Sequence, residues 1–177
     1  LNKGRLAHAF LLTGIRGVGK TTTARIIAKA LNCIGDGSKK DPSFEICNNC
    51  SPCKSINNGN FLDVIEVDAA SRTGVDGIRE IIDSVIYSPN NARYKVYIID
   101  EVHMLSNAAF NALLKTLEEP PQNVKFIFAT TEIKKIPATI ISRCQKFDLQ
   151  RVDLKTLSNH LKSICQNESI SFENDSI

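Results

Sequence analysis

Gly14-Ile15-Arg16-Gly17-Val18-Gly19-Lys20-Thr21 decides the fold. It matches G-x-x-x-x-G-K-[ST] at every fixed position. It follows the apolar run Ala9-Phe10-Leu11-Leu12, and residues 21–31 after it read as a helix. A strand before and a helix after are what separate a phosphate-binding loop from a chance Gly-rich turn. The glycines let backbone N–H groups converge on phosphate oxygens with no Cβ in the way, and the helix start adds partial positive charge. In such a loop Lys20 reaches the β- and γ-phosphates and Thr21 holds Mg²⁺. Gly14, Gly17, Gly19 and Thr22 are the neighbouring nucleotide-contact candidates.

Downstream, apolar runs alternate with helical spacing. Residues 62–67, 96–99 and 126–129 read as strands, with 145–149 as a candidate fifth. Ile78, Ile81, Ile82 and Val85 follow a helical period. Phe110, Leu113, Leu114 and Leu117 do so as well, with Ser106 as N-cap and Pro120-Pro121 as stop. Strands this apolar are expected to be buried on both faces, in a parallel sheet with helices on each side. Leu154, Leu157, Leu161 and Ile164 make one more amphipathic helix beyond a boundary near Gln150-Arg151. Residues 36–43 are the most loop-like stretch.

The strand at 96–99 ends in Asp100-Glu101. Two acids after a strand are ordinarily a solvated strand end. Beside a phosphate loop, Asp100 assists the metal and Glu101 orients and polarises an attacking water as general base.

Six cysteines raise the question of disulfides, but four cluster at Cys33, Cys47, Cys50 and Cys53, while Cys144 and Cys165 stand apart. In a chain without a signal segment, that clustering reads as metal ligation. Four thiolates suit structural Zn²⁺ with no open catalytic position, an iron–sulfur cluster or buried thiols being the alternatives. The site would pin an insertion, residues 33–53, to the helix after the phosphate loop. Cys144 and Cys165 are expected to be small buried residues. The net charge of +3 permits a local basic patch without arguing for one. No run of about 18 apolar residues occurs, so no membrane span is expected, and the reduced-thiol reading implies a cytoplasmic protein.

These segments resemble the AAA+ ATPases and, within them, the bacterial clamp-loader subunits of gamma/tau type. The residues carrying the resemblance are 14–21, the cysteine set, Asp68-Ala69-Ala70-Ser71-Arg72-Thr73, residues 97–105 and 110–121, and Ser142-Arg143-Cys144. The likeness implies a parallel five-stranded sheet of order 5-1-4-3-2 over residues 1–150, and the start of a helical lid domain over 151–177. It implies an ATPase subunit, within a DNA-directed DNA polymerase holoenzyme, that uses ATP, Mg²⁺ and structural zinc to load a sliding clamp onto primed DNA. Its partners would be the other subunits of a hetero-pentameric ring, the clamp, primed DNA and the polymerase core. Arg143 would be an arginine finger reaching the neighbouring subunit's γ-phosphate. Thr131, or Thr130 beside it, would take the sensor-1 position. Ser71, Arg72 and Thr73 would face the DNA backbone; helix capping is the other reading of that trio.

The family's adenine-enclosing segment and its sensor-2 arginine lie outside these residues, so weak ATP binding and little hydrolysis are expected of this stretch by itself. Three other readings remain. A delta-prime-type stator shares the cysteines and Ser-Arg-Cys but has no need of Lys20, Thr21, Asp100 and Glu101 together. A zinc-dependent nucleic-acid module would want more basic residues than Lys39, Lys40 and Lys54 near the cluster. A branch-migration helicase would share the phosphate loop but not the cysteines with Ser142-Arg143-Cys144.

Overall fold

The structure, a computed structural model, describes residues 6–37, 41–71 and 75–171. Five strands form one parallel sheet: β1 (Ala9–Thr13), β2 (Val64–Asp68), β3 (Lys95–Asp100), β4 (Val124–Thr130) and β5 (Gln145–Asp148). The spatial order is β2-β3-β4-β1-β5. Read from the other edge, this is 5-1-4-3-2. Among the described residues six α-helices accompany them: α1 (Lys20–Asn32), α2 (Ser51–Asn57), α3 (Val75–Val85), α4 (Asn107–Glu118), α5 (Ala138–Ile141) and α6 (Leu154–Asn167).

Period-two alternation divides the core between the two sheet faces. Leu11, Tyr97, Ile99, Phe126 and Phe128 pack with Ile78, Phe110 and Leu113 from α3 and α4. Phe10, Leu12, Val96, Ile98, Ile127 and Ala129 pack with Ala24, Ala28 and Leu31 of α1 and Ile56 of α2. Every residue of β1 and β4 is buried, as befits strands covered by helices on both sides. Tyr97, Phe126 and Phe128 stack with ring centroids 5.4 and 5.9 Å apart. Truncating Phe126 to alanine at the centre of that stack costs about 3–5 kcal/mol.

Burial on both faces holds for the central strands and fails at the edges. All four residues of β5 are exposed, and β2 is mostly half-buried or exposed. The second strand also begins later than its apolar letters suggest. Leu62 is 76% exposed and precedes β2, while Asp63 is buried. The Asp63 carboxylate accepts backbone N–H groups from Asn90, Asn91 and Ala92 at 2.8–3.0 Å, tying the loop before β3 to the start of β2. Ser106 caps α4 by accepting the Ala109 N–H at 3.2 Å. Asp153 caps α6 by accepting the Thr156 N–H at 2.8 Å. The apolar stripe of α6, Leu154, Leu157, Leu161 and Ile164, stays exposed. Cys165, on that helix, is therefore half-buried rather than core. Cys144 is also half-buried, but it packs against the core, and burial pushes its thiol up to about 12.

Candidate functional site

The phosphate loop runs from the end of β1 into α1, at the carboxyl edge of the sheet, where open parallel sheets bind ligands. Gly19 stands at the N-cap of α1 with φ 95°, a left-handed backbone that favours glycine. Gly14 is fixed by space: a Cβ there would lie 2.6 Å from the Leu149 carbonyl oxygen. Lys20 is 6% exposed, and its ammonium donates to the carbonyls of Gly14 and Ile15 at 3.2 and 3.1 Å. It is held against the first residues of the loop. Gly17, Gly19, Lys20, Thr21 and Thr22 line a cleft of about 400 Å³ with Arg16, Asp100 and Glu101.

Parallel pairing brings the acidic pair Asp100-Glu101 to the same edge. The Thr21 hydroxyl donates to Asp100 Oδ2 at 2.5 Å. A hydroxyl and a carboxylate converging beside a phosphate loop are the donor set that suits Mg²⁺. Glu101 leaves β3 with φ 46°, a left-handed conformation that costs a non-glycine residue about 1–3 kcal/mol. That turn carries its side chain across to β4, where Glu101 Oε2 accepts from the Thr131 hydroxyl at 3.0 Å and the Thr131 N–H at 3.3 Å. The hydroxyl that meets Glu101 is Thr131; Thr130 is buried and faces His103 instead.

His103, Glu118 and Glu132 were not visible as site residues in the sequence. The His103 ring lies 3.3 Å from Glu101, 3.0 Å from Thr130 Oγ1 and 3.4 Å from Glu132. The Lys135 ammonium, by hydrogen bond and charge, holds the Glu132 carboxyl below its usual range. The local signal was a histidine two residues beyond the acidic pair, which carries no weight until β4 is placed beside β3.

Arg143 follows α5 and is not among the residues lining the cleft of its own chain. Its guanidinium donates to the Thr139 carbonyl at 2.8 Å and to Glu118 Oε1 at 2.5 Å. The finger candidate is therefore tethered at the end of α4, half-exposed. Ser71 sits exposed in the turn after β2, its hydroxyl donating to the Asp68 carbonyl at 2.9 Å. Arg72 and Thr73 lie outside the described residues, as do Lys39 and Lys40.

The four clustered cysteines converge although Cys33 is 14 residues from its nearest partner in sequence. Their Sγ atoms all lie within 4.8 Å of one another, with Cys33 and Cys47 at 3.6 Å. A tetrahedral zinc thiolate site with bonds of about 2.3 Å separates its sulfurs by about 3.8 Å, so the donor set fits zinc. Backbone N–H groups of Cys50, then Asn49, draw the Cys47 thiol down to about 6, towards the thiolate a metal needs. Burial and the neighbouring thiols push Cys53 up, and a dication is the charge that would reverse this. Cys33 caps α1, and Lys29 of α1 donates to Asn48 and Asn57 at 3.2 and 2.8 Å. The insertion is thereby fastened to the helix that begins at the phosphate loop. A helix that was not expected, α2, starts within it, carries Cys53 and continues past it to Asn57.

A sequence model of the family described as "DNA polymerase III, delta subunit" matches residues 1–153. The chain is 55% identical over 177 residues to DNA polymerase III subunit gamma of Buchnera aphidicola subsp. Acyrthosiphon pisum, covering 100% of this chain and 48% of that protein. It is 53% identical over 177 residues to DNA polymerase III subunit tau/gamma of Haemophilus influenzae, covering 100% of this chain and 25% of that protein. Among solved structures, the RuvB Holliday junction branch migration motor of Thermotoga maritima superposes with TM-score 0.62 at 20% identity, covering 96% of this chain and 46% of that one. At that identity the likeness concerns the AAA+ fold alone. The chain spans half or less of the length of these relatives.

Proposed function

The chain belongs to the DNA polymerase III subunit family that matches residues 1–153, and from that premise we propose that it is the ATP-binding core of a gamma/tau-type clamp-loader motor. The observation that carries this reading is the convergence of Lys20, Thr21, Asp100, Glu101 and Thr131 on one edge of the sheet. A subunit serving only as scaffold needs none of that set in register.

In this reading the loop N–H groups and Lys20 grip the β- and γ-phosphates of ATP, with Gly14, Gly17, Gly19 and Thr22 lining the approach. Thr21 and Asp100 hold Mg²⁺, which when bound neutralises charge on the phosphates. Glu101 orients water in line with the γ-phosphate and draws its proton, and Thr131 holds the Glu101 carboxylate at the working distance. Arg143, presented by α5 and braced by Glu118, neutralises phosphoryl charge in the neighbouring subunit's site. Zinc on Cys33, Cys47, Cys50 and Cys53 is structural. Residues 1–150 form the nucleotide-binding unit, and 151–177 open the lid. Ser71, with Arg72 and Thr73, would meet the DNA backbone. The assembly is a cytoplasmic hetero-pentameric ring that meets the sliding clamp, primed DNA and the polymerase core. Among the described residues, no helix is long and apolar enough to cross a membrane.

The test is ATP hydrolysis by the full-length protein assembled with its partner subunits, with and without clamp plus primed DNA. Stimulation that needs both, and is abolished by Lys20→Ala, is expected. Hydrolysis indifferent to clamp and primer would leave an ATPase with another client. The family's delta-subunit description favours a second reading, a non-hydrolysing stator. Clamp loading that survives Lys20→Ala would select it.

A further inference from the structure

One buried group at the candidate site has no part in the reading above. His103 lies on the short 3-10 turn Val102–Met104 that follows the acidic pair, and its side chain is only 7% exposed. A buried imidazole must satisfy both ring nitrogens or forfeit its hydration. Here each nitrogen faces functional groups rather than core carbonyls. Nδ1 lies 3.0 Å from the Thr130 hydroxyl and 3.3 Å from Glu101 Oε2. Nε2 lies 3.4 Å from Glu132 Oε1. Thr130 is itself fixed, because its hydroxyl oxygen accepts the Glu132 N–H at 3.0 Å. Ring, threonine and glutamate thus form a closed bracket between the end of β4 and the turn after β3.

The bracket matters because of how Glu101 is built. Its backbone is in a left-handed conformation, and no cap bond anchors its side chain to its own turn. Its carboxylate is placed instead by two neighbours that meet the same oxygen, Oε2: Thr131 and the His103 ring. Removing either neighbour widens the arc through which the carboxylate swings. Glu101, His103 and Thr131 all line one cleft of about 730 Å³, so that arc opens directly onto the candidate reaction space.

We propose that His103 is a positioning residue for Glu101, fixing its Oε2 together with Thr131 while Thr130 and Glu132 hold the ring. The proposal rests on the reading of Glu101 as the group that polarises water. His103 is not expected to touch nucleotide. Its contribution is orientation, so its loss should fall on turnover and not on ATP affinity.

The experiment uses the full-length protein assembled with its partner subunits, clamp and primed DNA. Single-turnover ATP hydrolysis, fluorescent-nucleotide binding and melting temperature are measured for His103→Ala, His103→Gln, Glu101→Gln and the double variant His103→Ala/Glu101→Gln. A misplaced reacting group costs up to about 10²-fold, so His103→Ala should lower the hydrolysis rate roughly 10- to 100-fold. Nucleotide affinity should stay within about twofold, well under the 1.4 kcal/mol of a tenfold change. His103→Gln, with a donor and an acceptor on one planar group, should recover part of the rate and serves if the alanine variant folds poorly. The double variant should hydrolyse no more slowly than Glu101→Gln. If His103→Ala slows the Glu101→Gln enzyme by the same factor as the parent, the two act independently and the proposal is overturned. It is also overturned if both His103 variants weaken ATP binding and leave the single-turnover rate intact. If Glu101→Gln itself leaves hydrolysis unchanged, the reading of Glu101 fails first, and that arm involves no change at His103.

Discussion

Replacing Gly14 with alanine tests whether the loop is glycine-bound by space or merely by backbone freedom. Gly14 has φ 152°, and an added Cβ would lie 2.6 Å from the Leu149 carbonyl oxygen and 3.0 Å from Val18 Cγ1. The obstructing oxygen is backbone. Leu149 is further anchored by its own N–H, donated to the Thr13 carbonyl at 2.7 Å, which limits how far the residue can withdraw. The backbone conformation costs alanine about 1–3 kcal/mol, and forcing an atom into filled space costs about 1–3 kcal/mol more. The loss is then about 2–6 kcal/mol, a large share of the stability of about 5–15 kcal/mol usual for a domain. Gly19 is the internal control: its φ is 95°, but nothing lies within 4 Å of its added Cβ. Gly19→Ala should therefore cost only the backbone part, about 1–3 kcal/mol. Thermal and urea unfolding followed by circular dichroism would read both. At about 2–4 °C per kcal/mol for a chain of this size, Gly14→Ala should melt roughly 5–20 °C lower. A Gly14→Ala protein no less stable than Gly19→Ala would refute the steric argument and return both positions to backbone preference.

Chelation should strip one zinc per chain, read by elemental analysis, and lower the melting temperature. Cys33→Ser and Cys53→Ser should do the same, whereas Cys165→Ser should change neither quantity. In the assembled loader, Arg143→Ala should lower ATP turnover by about 10³-fold or more while the variant subunit still binds ATP. Glu118→Gln, which leaves the Thr139 carbonyl as a partner, should fall in between. Burial, then the Lys125 charge, push the His8 imidazole below its usual range. The unfolded chain therefore takes the proton first as pH falls. The His8 contribution is complete above an unfolded value of about 6.5 and disappears as pH drops through the folded one. Urea midpoints should thus decline more between about pH 7 and pH 5 in the parent than in His8→Gln, and equal declines would remove His8 as the source.

The phosphate loop and the alternation of strands with helices were legible in the letters because both are local. A G-x-x-x-x-G-K-[ST] run needs no distant partner to declare itself. Apolar runs alternating with helical spacing admit few parallel topologies, and resemblance to AAA+ ATPases narrowed them to 5-1-4-3-2. The four cysteines were legible for a related reason: thiols clustered in one stretch have few other uses in such a chain.

Edges and cross-strand contacts were a different matter. The apolar letters of 62–67 misplaced the start of β2, because Asp63 is buried by three N–H groups from residues 90–92 that no pattern near 63 announces. Nothing in residues 145–149 says that β5 lies at an edge with its side chains in solvent. Telling that Thr131 rather than Thr130 meets Glu101 required the strand register, since a one-residue step turns a side chain to the opposite face. His103, Glu132 and Glu118 acquire meaning only when β4 lies beside β3 and α5 beside the end of α4. By itself the sequence determined which chemistry is carried, since motif chemistry resides in residue types at short spacing. Tertiary structure alone decided which carboxylate meets which hydroxyl, imidazole or guanidinium, because those encounters join segments 25 to 79 residues apart in the chain through pairings that cooperative packing sets.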